Sequence, residues 1–92
     1  MIEHFRHRGL KRLYFRDDPS GINPGHLAKV RRILASLDAA RTIEHMRQPG
    51  FRLHELRGDR RGVYAVSVSG NWRIVFSFSA GNARDVDLVD YH

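Results

Sequence analysis

The chain contains no cysteine. That excludes disulfide staples, thiolate metal sites and thiol nucleophiles together, and it removes any sign of an oxidising compartment. Long apolar runs are missing as well. No stretch approaches the ~18 residues that a membrane helix needs, and the opening MIEHFRHRGLKRL carries charge every few residues with no apolar segment of signal-peptide length. A cytoplasmic protein without membrane contact is the expectation. Lysine is scarce: of sixteen cations fourteen are arginine, set against ten acidic residues for a net charge of +6. Arginine presents a planar fork that grips phosphates bidentately and stacks on bases, so the balance favours a polyanionic partner. Nucleic acid is preferred over membrane, because no basic amphipathic helix shows Trp or Phe on its apolar face.

What is present suits one small domain covering residues 1–92. A hydrophobic fraction of 41% with nine aromatic residues is ordinary for a globular chain. IEHF at residues 2–5 reads as a short first strand. Leu10, Leu13 and Tyr14 recur at i, i+3 and i+4, the spacing of a short amphipathic helix. DDPSGINPG at 17–25 is turn chemistry, and within it Asn23-Pro24 suits a cap followed by proline in the first helical turn. The helix expected over Pro24–Ala40 puts Leu27, Val30, Ile33, Leu34 and Leu37 on one stripe. TIEHMR suggests one more helical turn capped by Thr42.

From Phe51 the hydrophobic period changes from 3.6 to 2. FRLHEL reads as a strand and GDRRG as a polar turn. VYAVSV, NWRIVFSF and ARDVDLVD then alternate, with Gly70-Asn71 and Gly81-Asn82 between them as hairpin turns. The class is α+β, with N-terminal helices packed on a twisted antiparallel sheet.

In that sheet Trp72, Ile74, Phe76 and Phe78 face the core, so Arg73 points outward. Arg52, Arg57, Arg60, Arg61, Arg73 and Arg84 gather in this half with His54. They suit either a solvated strand face or a cleft that holds a phosphodiester backbone. The chain then closes on Asp90, Tyr91 and His92. Cutting RNA by attack of its own 2′-OH needs a base for the 2′ proton, a cation for the crowded phosphorane and an acid for the leaving 5′ oxygen. Histidine titrates in the range that lets it serve as either, and arginine fills the middle role. Spacing alone does not separate catalytic from merely exposed histidines. His4 and His7 have a ligand-like spacing, but without cysteines or clustered carboxylates no metal site is expected. His26 and His45 read as surface residues near helix starts.

Three stretches change the weighing. GLKRLYFRDDPSGINPGHLAKVRRILASLDAA, RLHELRGDRRGVYAVSVSGNWRIVFSF and the terminal DVDLVDYH, in that order and over nearly the whole chain, resemble the HigB-type toxins of bacterial toxin–antitoxin modules in the RelE/ParE superfamily. The resemblance implies the RelE-like microbial RNase fold. It implies an mRNA endonuclease that enters the A site of the 70S ribosome and works without metal or other cofactor. Under it His54, Asp90, Tyr91 and His92 match the catalytic cluster, and Asn71 and Arg73 match substrate-positioning and phosphate-contacting residues. Arg57 stands where relatives often carry lysine and is assigned to phosphate binding with Arg60 and Arg61. A HigA-type antitoxin is the implied partner, contacting the helical N-terminal half, and operator DNA is reached only through it. The competing readings are a ParE-like gyrase inhibitor that hydrolyses nothing and a nonenzymatic basic nucleic-acid-binding domain. Catalysis at the terminal strand further implies that residues appended after His92 impair activity more than residues placed before Met1.

Overall fold

The computed structural model describes residues 1–91. Helix α1 covers Arg8–Arg16 and buries Leu10 and Leu13. It ends at Asp17, whose φ of 53° is left-handed. There the N–H groups of Asp17 and Asp18 reach back to the carbonyls of Leu13 and Arg12, which closes the free end of the helix. The chain then passes so close to α1 that a Cβ on Gly9 would lie 2.5 Å from the Gly21 carbonyl oxygen. Only glycine fits there.

The helix expected from Pro24 begins as a separate 3-10 turn over Pro24–His26, held by Asn23 Oδ1 accepting from Gly25 N at 2.8 Å. Helix α2 follows over Leu27–Ala39 and buries Val30, Ile33, Leu34 and Leu37, four of the five stripe residues. A 3-10 turn at Ile43–Met46 occupies the place of the expected extra turn, but the Thr42 side chain makes no capping hydrogen bond.

Strands β1 (His54–Glu55), β2 (Val63–Ser69), β3 (Trp72–Ser79) and β4 (Asn82–Asp90) form an antiparallel sheet in that order. The run FRLHEL yields only two strand residues, because Phe51 turns fully into the core and Arg52 takes a φ of 51°. The second hairpin turn lies one residue earlier than expected: Ala80 and Gly81 carry the positive φ values, 51° and 79°. IEHF does not form a full strand. It lies parallel to β4 through bridges at Ile2–Ala83 and Phe5–Val86.

The helices cover the sheet face bearing Val66, Val68, Ile74, Phe76 and Val86, where the core sits. The opposite face is not simply solvated. Ala65 and Val75, paired across β2 and β3, are 0% and 7% exposed, and Val75 lines a hollow there. Opposite Phe76, β4 bulges at Asp85, whose φ is 53°. His4 Nδ1 meets that carboxylate at 2.8 Å.

Candidate active site at the hairpin tip

The β2–β3 tip organises several of the candidate residues. Gly70 supplies a positive φ of 54°, and its carbonyl accepts from Arg73 Nη1 at 2.7 Å. The same nitrogen donates to the Trp72 carbonyl at 3.0 Å, so the guanidinium is folded back onto the tip. The end of β4 runs beside it. Val89 is in register with Arg73, Asp90 with Trp72, and Tyr91 N donates to the Asn71 carbonyl at 2.8 Å. Four of the residues singled out from sequence (Asn71, Arg73, Asp90 and Tyr91) therefore share one corner. Strand alternation divides them: Arg73 belongs to the outward face, whereas Asp90 shares the helix-side face with Trp72.

His54 stands apart from that corner. It is the register partner of Ala65, which pairs in turn with Val75 and then Asp87, so His54 lies on the outward face at the far edge of that row. Arg73 sits two strands over and in the next row, about 10 Å away across the sheet at the usual strand spacing. The hollow on this face, 480 Å³ in volume, is lined by neither of them; Tyr91 and Arg60 line it with Val63, Val75 and Ser77, and Asp85, Asp87 and Arg6 stand on its β4 side. The 3-10 turn Gly58–Arg60 is what brings Arg60 over the sheet. Arg57 and Arg61 flank that turn, exposed. Arg84, grouped with the basic half by sequence, instead pairs with Glu3 at 3.5 Å, away from the tip. His92 lies outside the described residues.

Residues 3–92 match the family of HigB-like toxins, described as RelE-like toxins of the type II toxin–antitoxin system HigB. The chain belongs to that family. It is 36% identical over 92 residues to the endoribonuclease HigB of Proteus vulgaris, with 100% of both chains covered. Among solved structures it resembles YoeB in a YoeB–YefM complex from Staphylococcus aureus, with a TM-score of 0.61 and 16% identity over 100% of this chain and 95% of that one. It also resembles a mutant of YafQ from E. coli, with a TM-score of 0.53 and 14% identity over 98% and 91% of the two chains. These two likenesses are of fold: two helices on a four-stranded antiparallel sheet.

This HigB-like toxin also gathers cations at the tip that sequence reading left on helix α2. Lys29 and Arg32 reach the carbonyls of Gly50 and Pro49, and burial, and after it the charges of Arg32, Arg52 and Arg73, hold the Lys29 ammonium below its ordinary pKa. Lys29 and Arg32 fell off the apolar stripe and passed as a solvated helix face. No local spacing connects them to Arg73, more than forty positions later. His26, read as a surface residue, is half-buried with its ring 5.8 Å from that of Trp72.

The other histidines have local work. His7 Nδ1 accepts from Leu10 N at 3.1 Å and caps α1, which requires the neutral ring. Burial lowers its pKa, Asp87 opposes that and Arg12 adds to it. His45 Nδ1 accepts from Arg41 N at 2.9 Å. His4 and His7 thus face different partners, and among the described residues no three His, Asp or Glu side chains gather as a metal site.

Proposed function

We propose that this toxin is an endoribonuclease that cuts mRNA in the A site of the ribosome by attack of the substrate's own 2′-OH, and that a HigA-type antitoxin encoded with it keeps it inactive. The observation that carries the reading is the full-length 36% identity to an endoribonuclease of the same family. The hairpin-tip geometry supports it, because a folded-back arginine beside Asn71 and Tyr91 is a ready anion site.

In this reading His92, oriented by Asp90, takes the 2′ proton. The 2′ oxygen then bonds to phosphorus, and the guanidinium of Arg73 stabilises the charge on the five-coordinate phosphorane. The bond from phosphorus to the 5′ oxygen breaks, and protonated His54 supplies that oxygen with its proton. The products are a 2′,3′-cyclic phosphate and a 5′-hydroxyl, so protons and electron pairs balance without metal or cofactor. The side chains of Arg73 and His54 meet that one phosphate over the outward face of the sheet, which requires the guanidinium to swing off its carbonyls toward His54. Tyr91 packs on a base of the codon, Asn71 orients the strand, and Arg57, Arg60 and Arg61 hold flanking phosphates without proton transfer. The net charge of +6 suits both ribosomal RNA and an acidic-to-neutral antitoxin.

The test is cleavage of mRNA in purified translating ribosomes by the wild-type protein and by His92→Ala. The reading expects cleavage by the former, leaving 2′,3′-cyclic phosphate and 5′-hydroxyl ends, and its loss in the variant with the fold intact. Growth arrest by a His92→Ala protein, or a block of gyrase supercoiling in place of cleavage, would overturn it.

A further inference from the structure

The four cations at the tip come from three separate stretches of chain. Lys29 and Arg32 lie on α2, Arg52 follows it in the loop before β1, and Arg73 lies on β3. Lys29 Nζ donates to the Gly50 carbonyl at 2.8 Å and Arg32 Nη2 to that of Pro49 at 3.1 Å, so both α2 side chains are anchored over this loop. The Arg32 guanidinium also lies 5.0 Å from the centre of the Phe51 ring. Phe51 in turn accepts from Ser67 N at 2.6 Å, and Ser67 is the register partner of Arg73, which brings Arg52 alongside the Arg73 row.

Among the described residues none of these four is ion-paired; the pairs that form use Arg6, Arg12, Arg31, Arg47, Arg84 and His4. Ordinary surface cations are mobile and spread apart. Lys29, Arg32 and Arg73 are held by backbone carbonyls, and with Arg52 their charges repel one another, an arrangement that an incoming chain of phosphates relieves. Next to Arg73 in the chain is Trp72, 37% exposed, its ring 5.8 Å from and tilted 58° to that of His26, which lies three positions before Lys29. A half-open indole linked in this way to a group of cations suits single-stranded nucleic acid, which stacks a base while its backbone follows the charge.

We propose that Trp72, backed by His26, stacks on a nucleobase next to the scissile phosphate, while Lys29, Arg32 and Arg52 hold the adjoining backbone and so set which nucleotide reaches Arg73. This rests on the endoribonuclease reading for the identity of the polyanion. Lys29, Arg32 and Arg52 are positioning residues, and Trp72 is a specificity-determining contact.

Trp72 is the single tryptophan of the chain and reports on its own occupancy. A short single-stranded RNA with 2′-O-methyl groups throughout, which cannot attack itself, is titrated into the intact protein and indole emission is followed. Saturable quenching is expected. Lys29→Gln with Arg52→Gln reduces the slope of log affinity against log salt by about 1.4, two single-strand phosphate contacts. Trp72→Ala, followed by a labelled oligonucleotide, weakens binding roughly tenfold, and Trp72→Phe restores most of it. Melting curves confirm that each variant folds. Binding without a change in indole emission, an unchanged salt slope, or no binding at all overturns the proposal. Quenching by polyglutamate but not by the oligonucleotide overturns it in favour of an acidic protein segment. Quenching in a protein that cleaves nothing on ribosomes leaves this strip standing while the nuclease reading falls; cleavage without quenching does the reverse.

Discussion

The two hairpin turns of the sheet have the same length and opposite fates. Ala80-Gly81 joins β3 to β4 at the end where the amino terminus docks, and its Gly81 carbonyl accepts from the terminal ammonium at 3.0 Å. Around this end charges find partners: His4 and Arg6 with Asp85, Arg84 with Glu3, and Asp38 taking hydrogen bonds from Tyr14 Oη at 2.6 Å and Ile2 N at 3.2 Å. Gly70-Asn71 sits at the other end, where its carbonyls hold Arg73 and Tyr91. There the cations Lys29, Arg32, Arg52 and Arg73 crowd together with no ion-pair partner among the described residues. One end of the sheet spends its polar groups on closing the structure, and the other leaves them for a ligand. Mutations should therefore separate activity from stability according to which end they strike.

The sharpest separation is expected from Arg73→Ala. Removing a fixed cation from a developing phosphorane costs roughly 10²–10³-fold in rate, while melting should move little because the side chain contacts only exposed carbonyls. Ribosome-programmed cleavage and a thermal melt of the same preparation measure both. A collapse in melting temperature with the activity of the folded fraction preserved would erase the distinction between the ends. Gly9→Ala should do the opposite. Its Cβ would lie 2.5 Å from backbone at Gly21, which cannot swing aside as a side chain can. Overpacking of this kind costs about 1–3 kcal/mol, or roughly 10 °C in a domain of this size. Cleavage per folded molecule should stay at the wild-type level, and a loss there would show that the α1 packing reaches the site.

The same division explains what the sequence made legible. The α2 stripe and the three alternating runs were readable because each has one apolar face with a fixed period; the period fails where Ala65 and Val75 are buried on the other face and where Trp72, expected in the core, stays 37% exposed at the end of β3. The tip corner was readable in part, since the two-residue turn after β3 pairs it with β4 and so sets Arg73 and Asp90, with Asn71 and Tyr91 next to them in the chain, at one end of the sheet. Lys29 and Arg32 were not, because their proximity to Arg73 depends on how α2 crosses the loop before β1, a tertiary fact with no local signature. The parallel docking of residues 2–5 on β4 was hidden for the same reason. The second turn was misplaced by one residue because alanine is a poor occupant of the left-handed region, and the pattern favoured the Gly-Asn pair beside it.

A smaller effect lies in acid. His7 caps α1 with a neutral ring, and burial, reinforced by Arg12 and opposed by Asp87, holds its pKa below 6.5 in the folded chain. The unfolded chain then binds a proton first as pH drops. Stability from this group is complete above about pH 6.5 and declines as pH falls from there toward the lowered folded value. Melting curves between neutral and mildly acid pH should show that decline. His7→Ala should flatten it, at a cost of about 1 kcal/mol for the lost cap near neutral pH that shrinks as the pH falls. A variant with the same acid slope as wild type would remove His7 as its source.

The smallest change expected is a gain. Ala80 holds a φ of 51°, where its Cβ crowds the following carbonyl at about 1–2 kcal/mol, and Gly81 follows at 79°. Two successive left-handed residues make the turn that suits the twist of a hairpin, and Asn-Gly is the pair best adapted to it. Ala80→Asn should recover part of that strain, about 1 kcal/mol, and raise the melting temperature by roughly 4–8 °C. Because the turn lies at the end of the sheet that closes the structure, cleavage should not change. A stability gain accompanied by altered cleavage would mean that the two ends are coupled through β3 and β4. An unchanged melting temperature would mean that Ala80 bears no strain.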